Sequence, residues 1–219
     1  MNSSNARNQS EPIRLFKSDF LEFFTHIHPA VVLVIWLPVA VGFLIAAVIN
    51  RPVPAMWVHI PIGFVAGWLL WSLTEYLMHR FVFHYHPKSE RMQKFFYLFH
   101  GVHHDQPMCK TRLVMPPAVS VPLALIFYGL FYLVVGVLIG AGHWVAPLFS
   151  GFTFGYLAYD MTHYSTHHWP VKKGYFAMVR KQHMRHHVQT PDKRFGVSSP
   201  LWDVVFRTLP GTKNSDQAS

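Results

Sequence analysis

Four long apolar stretches constrain the fold of this chain more than any other feature of its sequence. They cover about residues 30–49, 57–78, 119–140 and 144–160 of the 219. Each approaches the roughly 20 residues that a helix rising about 1.5 Å per residue needs to cross a bilayer core. A soluble four-helix bundle would need polar outward faces, whereas segments such as Val31–Trp36 are apolar throughout. We therefore expect an all-α integral membrane protein with four transmembrane helices in two hairpins.

Lysine and arginine lie almost entirely on one side of the predicted spans. Of the 19 basic residues, only Arg51 falls in the turn between the first two spans, and none falls between the last two. Because loops rich in Lys and Arg stay in the cytoplasm, both termini are predicted to be cytoplasmic, in a bacterial inner membrane or in the endoplasmic reticulum of a eukaryote. The net charge of +9 thus follows from topology, and no nucleic-acid partner is predicted.

The segments outside the spans are predicted to form an interfacial helix, a cap and two tails. Residues 11–27 carry apolar side chains at spacings of three and four, which indicates a helix lying in the membrane interface; another core helix is the alternative. The polar residues 1–9 and 209–219 are expected to be disordered. The loops that follow the second and fourth spans are expected to form a cytoplasmic, histidine-rich helical cap, residues 79–118 and 161–208.

Eleven of the 16 histidines fall into four short clusters. The clusters are His79 and His84; His100, His103 and His104; His163, His167 and His168; and His183, His186 and His187. Two predicted spans separate the first two clusters from the last two, so all four lie on the same membrane face and can converge. Imidazole suits iron, zinc, copper and nickel. About ten imidazoles exceed what one ion can hold, so two neighbouring metal ions are predicted.

The spacing within each cluster indicates how its side chains can share an ion. Residues three and four apart share a helix face, so each HxxHH cluster, beginning at His100 or at His183, is expected to aim its three side chains at one centre. The HxxxH pair of the third cluster also lies one turn apart. His79 and His84 are five apart and cannot share a face on a regular helix, so we interpret them as straddling a helix end.

Ligating imidazoles usually donate their second ring N–H to a carboxylate or a carbonyl. Candidate acceptors are Glu75, Asp105 and Asp160, each within four residues of a clustered histidine. Each carboxylate is equally compatible with an ordinary place at the membrane interface. The five remaining histidines are interpreted as structural: His26, His28, His59, His86 and His143.

The pattern HxxxxH, HxxHH, HxxxHH and HxxHH, joined to hydrophobic hairpins, resembles the fatty acid hydroxylase and sterol desaturase superfamily. Arg112–Pro117, Tyr159–Asp160, Phe195–Ser199 and Trp202–Asp203 also look like the catalytic domain of fatty acid 2-hydroxylases. The resemblance implies one membrane domain over residues 10–208. It also implies that ten histidines hold the two metal ions: His79, His84, His100, His103, His104, His163, His167, His183, His186 and His187. His168, the eleventh clustered histidine, is expected to line the site or to hydrogen-bond a carboxylate rather than to bind metal.

The same resemblance implies a membrane dimetal monooxygenase that hydroxylates a fatty acyl chain, with C2 the expected position, using O2 and external electrons. Zinc has no redox chemistry, so the working metal is expected to be iron, although zinc can replace it in a purified sample. No catalytic residue is expected beyond the metal centre. Cys109, the one cysteine, cannot hold an iron–sulfur cluster, and a separate electron donor is expected, a ferredoxin or cytochrome b5 with its reductase.

Two other functions remain open at this point. A sterol, carotenoid or alkane hydroxylase or desaturase of the same superfamily would differ in the shape of its pocket, which the sequence does not reveal. A metal transporter needs ionisable ligands at mid-bilayer, whereas the first and third predicted spans contain none.

Overall fold

The computed structural model describes residues 11–50 and 57–210, and these residues form helices joined by loops. The predicted tail 1–9, nearly all of the tail 209–219 and the turn holding Arg51 lie outside the described residues. The α-helices are α1 Asp19–Phe23, α2 Pro29–Ile49, α3 His59–Leu77, α4 Glu90–Phe96, α5 Val102–Asp105, α6 Pro117–Phe131, α7 Val145–His168, α8 Gly174–Val188 and α9 Leu201–Val205. Three of them continue as π-helices: π1 Met78–Phe83, π2 Tyr97–Gly101 and π3 Tyr132–Leu138.

Three helices within the described residues are long and apolar enough to cross a membrane. They are Pro29–Ile49, His59–Phe83 and Pro117–Leu138, which match the first three predicted spans. Their outward side chains are apolar and uncovered; Val34 and Ile126, for example, are 72% and 66% exposed. Lipid accommodates such surfaces, whereas water makes them unfavourable.

The predicted fourth span, residues 144–160, begins one residue before α7, Val145–His168, which extends beyond the predicted end of the span. This helix is not among the three that meet the length and hydropathy requirements for a span. Its last turns carry polar side chains, among them Asp160, His163 and His167. It is also the central helix of the bundle, packing most extensively against α3 and α2, and a helix enclosed by other helices does not need an apolar outer surface.

Glycines allow α3 and α7 to approach until their backbones touch. A Cβ added at Gly67 would lie 2.0 Å from the Leu148 carbonyl oxygen, and one added at Gly151 would lie 1.9 Å from that of Phe64. Small residues permit this close packing between membrane helices. The two helices therefore run side by side to their ends, where one continues into the first histidine cluster and the other carries the third.

Hydrogen bonds donated by polar side chains join α2 to α6 and to α7. The Trp36 indole of α2 donates to the Ser120 hydroxyl near the start of α6, over 3.1 Å. The Ser150 hydroxyl of α7 donates to the Ala40 carbonyl of α2, over 2.7 Å. Hydrogen bonds of this kind hold helices together where apolar contacts with lipid and with protein are similar.

The amino-terminal segment differs from the interfacial helix predicted over residues 11–27. The helix there is only α1, Asp19–Phe23. One oxygen of the Glu22 carboxylate accepts hydrogen bonds from the backbone N–H groups of Leu15 and Phe16, at 2.9 and 2.8 Å. These bonds satisfy the backbone without a helix, so the chain before α1 is a strap that crosses the cap. The Phe20 and Phe23 side chains on α1 are 72% and 73% exposed.

Candidate metal centre

Ten of the eleven clustered histidines form two compact groups, in each of which one ring nitrogen per residue lies within 4.8 Å of all the others. Centre A comprises His79, His84, His100, His104 and His186. Centre B comprises His103, His163, His167, His183 and His187. Their members are buried or half-buried, and His183 and His186 are fully buried. The sequence-predicted set is thus brought together, in two parts.

The two HxxHH clusters are divided between the centres, contrary to the expectation that each would aim at one centre. His100 and His104 belong to centre A, whereas His103 belongs to centre B. In the last cluster His183 and His187 belong to centre B and His186 to centre A. An α-helix turns about 100° per residue, so adjacent histidines point to different sides. Histidines four residues apart belong to the same centre.

His79 and His84 share centre A because the backbone between them is a π-helix. As the sequence suggested, the pair straddles a helix end, because π1 spans Met78–Phe83 and His84 is the residue that follows it. That end is closed by the His84 N–H, which bonds to the His79 carbonyl over 3.2 Å. A π-turn closes this i to i+5 bond, which places residues five apart one above the other. The Nε2 atoms of the two rings are 3.2 Å apart. The π-turn thus gives this pair the arrangement that i,i+4 pairs have in an α-helix.

The spacing of the ring nitrogens fits two bound metal ions. In centre A the Nε2 atoms of His79 and His100 are 3.0 Å apart, and in centre B those of His167 and His183 are 2.8 Å apart. Metal–imidazole bonds of about 2.0–2.1 Å place neighbouring ligand nitrogens ~3 Å apart. Burial, with smaller contributions from neighbouring histidines, lowers the pKa of His100 and of His183 well below its usual value. These imidazoles are therefore neutral, which is the form that binds metal.

The two centres adjoin. The His104 ring of centre A stacks on the His187 ring of centre B, with ring centroids 4.2 Å apart. The Nε2 atoms of His103 and His163, both in centre B, are 2.9 Å apart. Two ions held by these groups would therefore lie side by side rather than at separate places in the protein.

The second ring nitrogens have different partners in the two centres. In centre A, Nδ1 of His79 bonds to the Phe195 carbonyl over 2.6 Å, and Nδ1 of His186 to the Lys193 carbonyl over 2.7 Å. In centre B, all five Nδ1 atoms are buried without a hydrogen-bond partner among the described residues. A carbonyl can only accept, so His79 and His186 carry their proton on Nδ1 and turn the Nε2 lone pair towards centre A.

The three carboxylates proposed to orient imidazoles bond to other groups instead. Glu75 accepts from the backbone N–H groups of residues 197 and 198, at 2.8 and 2.7 Å. Asp160 accepts from the Met115 N–H over 3.3 Å. Asp105 accepts from the Tyr97 hydroxyl over 2.8 Å. The acceptors that are present are main-chain carbonyls, which the residue types do not indicate.

The other histidines lie outside both groups. His168 contacts the Tyr164 ring, with centroids 4.7 Å apart, and is half-buried. His26 contacts Glu22, and His28 caps the first turn of α2. His59 and His143 contact each other at the far end of the bundle, with ring centroids 5.4 Å apart. His86, the last of the five assigned a structural role, follows π1 and is exposed.

A cavity of about 290 Å³ lies against both centres. His100 of centre A and His103 and His163 of centre B form part of its wall. Most of the rest is apolar, from the amino-terminal strap, π2 and the start of α6, and includes Phe16, Phe24, Phe99, Leu113 and Val119. An apolar cavity with imidazoles in its wall fits a flexible aliphatic chain.

Arg112 is the cavity residue whose role the sequence did not predict. Its guanidinium is buried and donates to the Glu22 carboxylate over 2.7 Å, and Nε2 of His26 lies 3.0 Å from the same carboxylate. Burial alone would raise the pKa of Glu22, but the hydrogen bonds from Phe16, His26 and Leu15, with the charge of Arg112, lower it to about 2. Nε of Arg112 is buried without an acceptor among the described residues.

A family model and several known proteins are similar in sequence to this chain. The family model described as fatty acid hydroxylase matches residues 64–208. The dihydroceramide fatty acyl 2-hydroxylase FAH2 of Arabidopsis thaliana is 38% identical over 207 residues, which cover 94% of this chain and 84% of that protein. The fatty acid 2-hydroxylase of Homo sapiens is 34% identical over 222 residues, which cover 93% of this chain and 58% of that protein.

A solved structure shares the fold. The structure described as full-length scs7p, in which only the hydroxylase domain is visible, aligns with a TM-score of 0.80 and 36% sequence identity. The alignment covers 88% of this chain and 70% of that one.

Proposed function

The chain belongs to the fatty acid hydroxylase family, and from this we propose that it is a membrane dimetal oxygenase that hydroxylates a fatty acyl chain at C2. The observation that carries the proposal is the apolar cavity whose wall includes histidines of both centres. An acyl chain in this cavity has methylene groups against its apolar wall and one carbon beside the metals. The ten clustered histidines are the proposed ligands.

Hydroxylation at C2 requires the carbonyl end of the acyl chain to lie close to the histidines. Among the cavity-lining side chains other than the clustered histidines, Arg112 has an unpaired donor, at Nε. Its charge is already balanced by Glu22, at 2.7 Å, so it suits a neutral carbonyl oxygen better than a second carboxylate. We therefore favour an acyl chain in amide or ester linkage over a free acid as the substrate.

Iron is the proposed working metal. When bound, two iron ions supply the activation of O2 that attack on a C–H bond requires, and zinc lacks this redox chemistry. The protein's own part is to hold ten neutral imidazoles in place, to line the reaction site with apolar walls that exclude water, and to present one carbon of the substrate. This division of labour between metal and protein explains why no acid, base or nucleophile is needed among the side chains.

The proposed topology has four spans, with α7 as the fourth. Because α7 is covered by α2, α3 and α6, the three other helices provide the lipid-facing surface. The cap, both termini and both centres then lie on the cytoplasmic side, where a soluble electron donor can reach them. The proposed donor is a ferredoxin or cytochrome b5 with its reductase.

The function is tested with the purified protein in liposomes that contain ceramide, loaded with Fe(II) and supplied with O2, reductase and carrier. Sustained formation of 2-hydroxyacyl lipid, identified by mass spectrometry, is the expected result. His103→Ala, in centre B, should abolish it, whereas His143→Ala, at the opposite end of α7, should not. Hydroxylation or desaturation of an added sterol, carotenoid or alkane in place of the acyl chain would contradict the proposal, as would metal transport without oxidation.

A further inference from the structure

The loop between α8 and α9 supplies both of the carbonyl groups that reach centre A. His79 comes from π1 and His186 from α8, yet the Nδ1 atoms of both donate to this loop, at Phe195 and Lys193 over 2.6 and 2.7 Å. Fixing the proton on Nδ1 and the orientation of the ring are two ways in which a neighbouring group controls a metal ligand. The position of this loop thus decides where two of the five nitrogens of centre A point.

Two buried carboxylates hold the loop by four consecutive backbone N–H groups. Asp203 of α9 accepts from Phe195 and Gly196, over 2.9 and 2.8 Å. Glu75 of α3 accepts from the next two, Val197 and Ser198, over 2.8 and 2.7 Å. The two side chains are 1% and 4% exposed. Burying two carboxylates is costly unless they are fully hydrogen-bonded, and here the loop supplies those bonds.

The loop is packed too tightly to shift while these bonds last. A Cβ at Gly196 would lie 2.1 Å from the Ser199 carbonyl oxygen and 2.9 Å from the Asp203 carboxylate. The Thr208 hydroxyl donates a further bond to Asp203, over 2.6 Å, and the Arg194 N–H bonds to the Thr208 carbonyl over 3.2 Å. Centre B has no comparable support, because no Nδ1 of its five histidines bonds to a described residue.

We propose that Asp203 and Glu75 are positioning residues that act through the backbone of residues 195–198 on centre A and not on centre B. The proposal rests on the metal-binding function of the two groups. It predicts that loss of either carboxylate weakens metal binding at one centre only, by about 10- to 100-fold, the usual effect of removing a group that orients a ligand. The chain then passes from two tightly held ions to one.

The test is the zinc content of purified protein during competition with a chelator, measured by mass spectrometry of the metal. Asp203→Asn replaces one carboxylate oxygen with an amide NH₂, so one of the two backbone N–H groups that bond to Asp203 loses its acceptor. One of the two ions should therefore be released at a lower chelator concentration. Asp105→Asn is the matched control, because Asp105 adjoins His104 in sequence but bonds to the Tyr97 hydroxyl. It should retain both ions with unchanged affinity.

Two ligand variants identify the centre that is affected. In a His183→Ala background, which lacks a ligand of centre B, Asp203→Asn should leave no tightly held ion. In a His186→Ala background, which lacks a ligand of centre A, it should leave the remaining ion unaffected. The reverse pattern, weakening of both ions by similar factors, or wild-type affinity in Asp203→Asn would each overturn the proposal.

Glu75→Gln is a second, independent variant with the same expected result, and thermal unfolding of each metal-free variant shows whether it folds.

If neither variant folds, a metal titration of the unmutated protein tests the proposal. The pre-oriented centre A should bind Co(II) first in a titration, so His186→Ala should remove the tighter of two binding steps; removal of the weaker step would overturn the proposal. Wild-type protein that binds no metal would instead refute the proposed function itself.

Discussion

Burial determines the state of the histidines that form the two centres. It lowers the pKa of His103 well below its usual value and that of His104 to about 4, with smaller contributions from neighbouring rings. A neutral imidazole has one nitrogen free to bind a metal, whereas an imidazolium has none. The protein therefore keeps its ligands ready at neutral pH before any metal arrives, and it does so by excluding water from rings that would otherwise titrate near pH 6.5.

We predict that the metal-free protein loses stability as the pH falls below about 6.5. Because burial depresses the folded-state pKa of these histidines, the unfolded state binds more protons than the folded state between about pH 6.5 and pH 4. The free energy of unfolding therefore decreases as the pH is lowered through this range. Each such histidine contributes about 1.4 kcal/mol per pH unit. Thermal unfolding at a series of pH values measures this, and an unfolding temperature that stays constant from about pH 7 to pH 5 would contradict it.

At the scale of the single helix, the rotation from one residue to the next assigns histidines to the two centres. His100 and His104, four apart, remain together, and the intervening His103 points to the other centre. The sequence allowed the ten histidines and their convergence to be predicted. It did not allow their division, because i,i+3 and i,i+4 partners both count as neighbours on a helix face, and only the placement of the second helix decides between them.

The π-helix between His79 and His84 provides a direct test of this geometry. Inserting one alanine after Phe81 makes the spacing six, which places the two rings about 240° apart around an α-helix. Centre A should then lose its ion while centre B keeps its own, as measured by zinc content. Deleting Val82 instead makes the spacing four, as in the α-helical pairs, and should be tolerated better. Equal losses in the two variants would contradict this role of π1.

The predictions that were wrong concern residues whose contacts lie far away along the chain. The strap before α1 is not helical, because Glu22 bonds to its backbone and is itself held by Arg112, 90 residues away. In the same way, Glu75 was assigned to a nearby histidine, whereas it bonds to Val197 and Ser198. Apolar periodicity and spacing along the chain carry information about neighbours in sequence, and these partners are far apart in it.

At the scale of the whole molecule, the close contact of α3 with α7 aligns the parts of both centres. We predict that Gly67→Ala is destabilising, by about 1–3 kcal/mol or more, because its Cβ would lie 2.0 Å from the Leu148 carbonyl oxygen. Gly42→Ala and Gly129→Ala are matched controls in α2 and α6, since a Cβ there meets nothing within 4 Å. Thermal unfolding in detergent compares them, and equal effects would contradict the backbone contact.

The route of the substrate is tested at Ala118, an exposed residue of the first turn of α6 that lines the cavity. We predict that Ala118→Trp lowers kcat/KM for the acyl substrate at least tenfold, because the indole obstructs the cavity, while both metal ions remain bound. Ala30→Trp, in the first turn of α2 and outside the cavity lining, should have little effect. Comparable losses in both variants, or unchanged turnover in Ala118→Trp, would mean that the chain enters elsewhere.

The glycine contact between α3 and α7 has a mechanical consequence. The backbones on that side of the bundle touch and cannot be compressed further, whereas α6, on the cavity side, has only Ser120 and Phe131 buried. Any widening of the cavity that admits a lipid must therefore come from the α6 side, where a moving helix displaces bilayer lipid rather than another helix. The rate of substrate uptake should therefore decrease as the viscosity of the surrounding leaflet increases. It should be lower in a stiff, ordered membrane than in a fluid one.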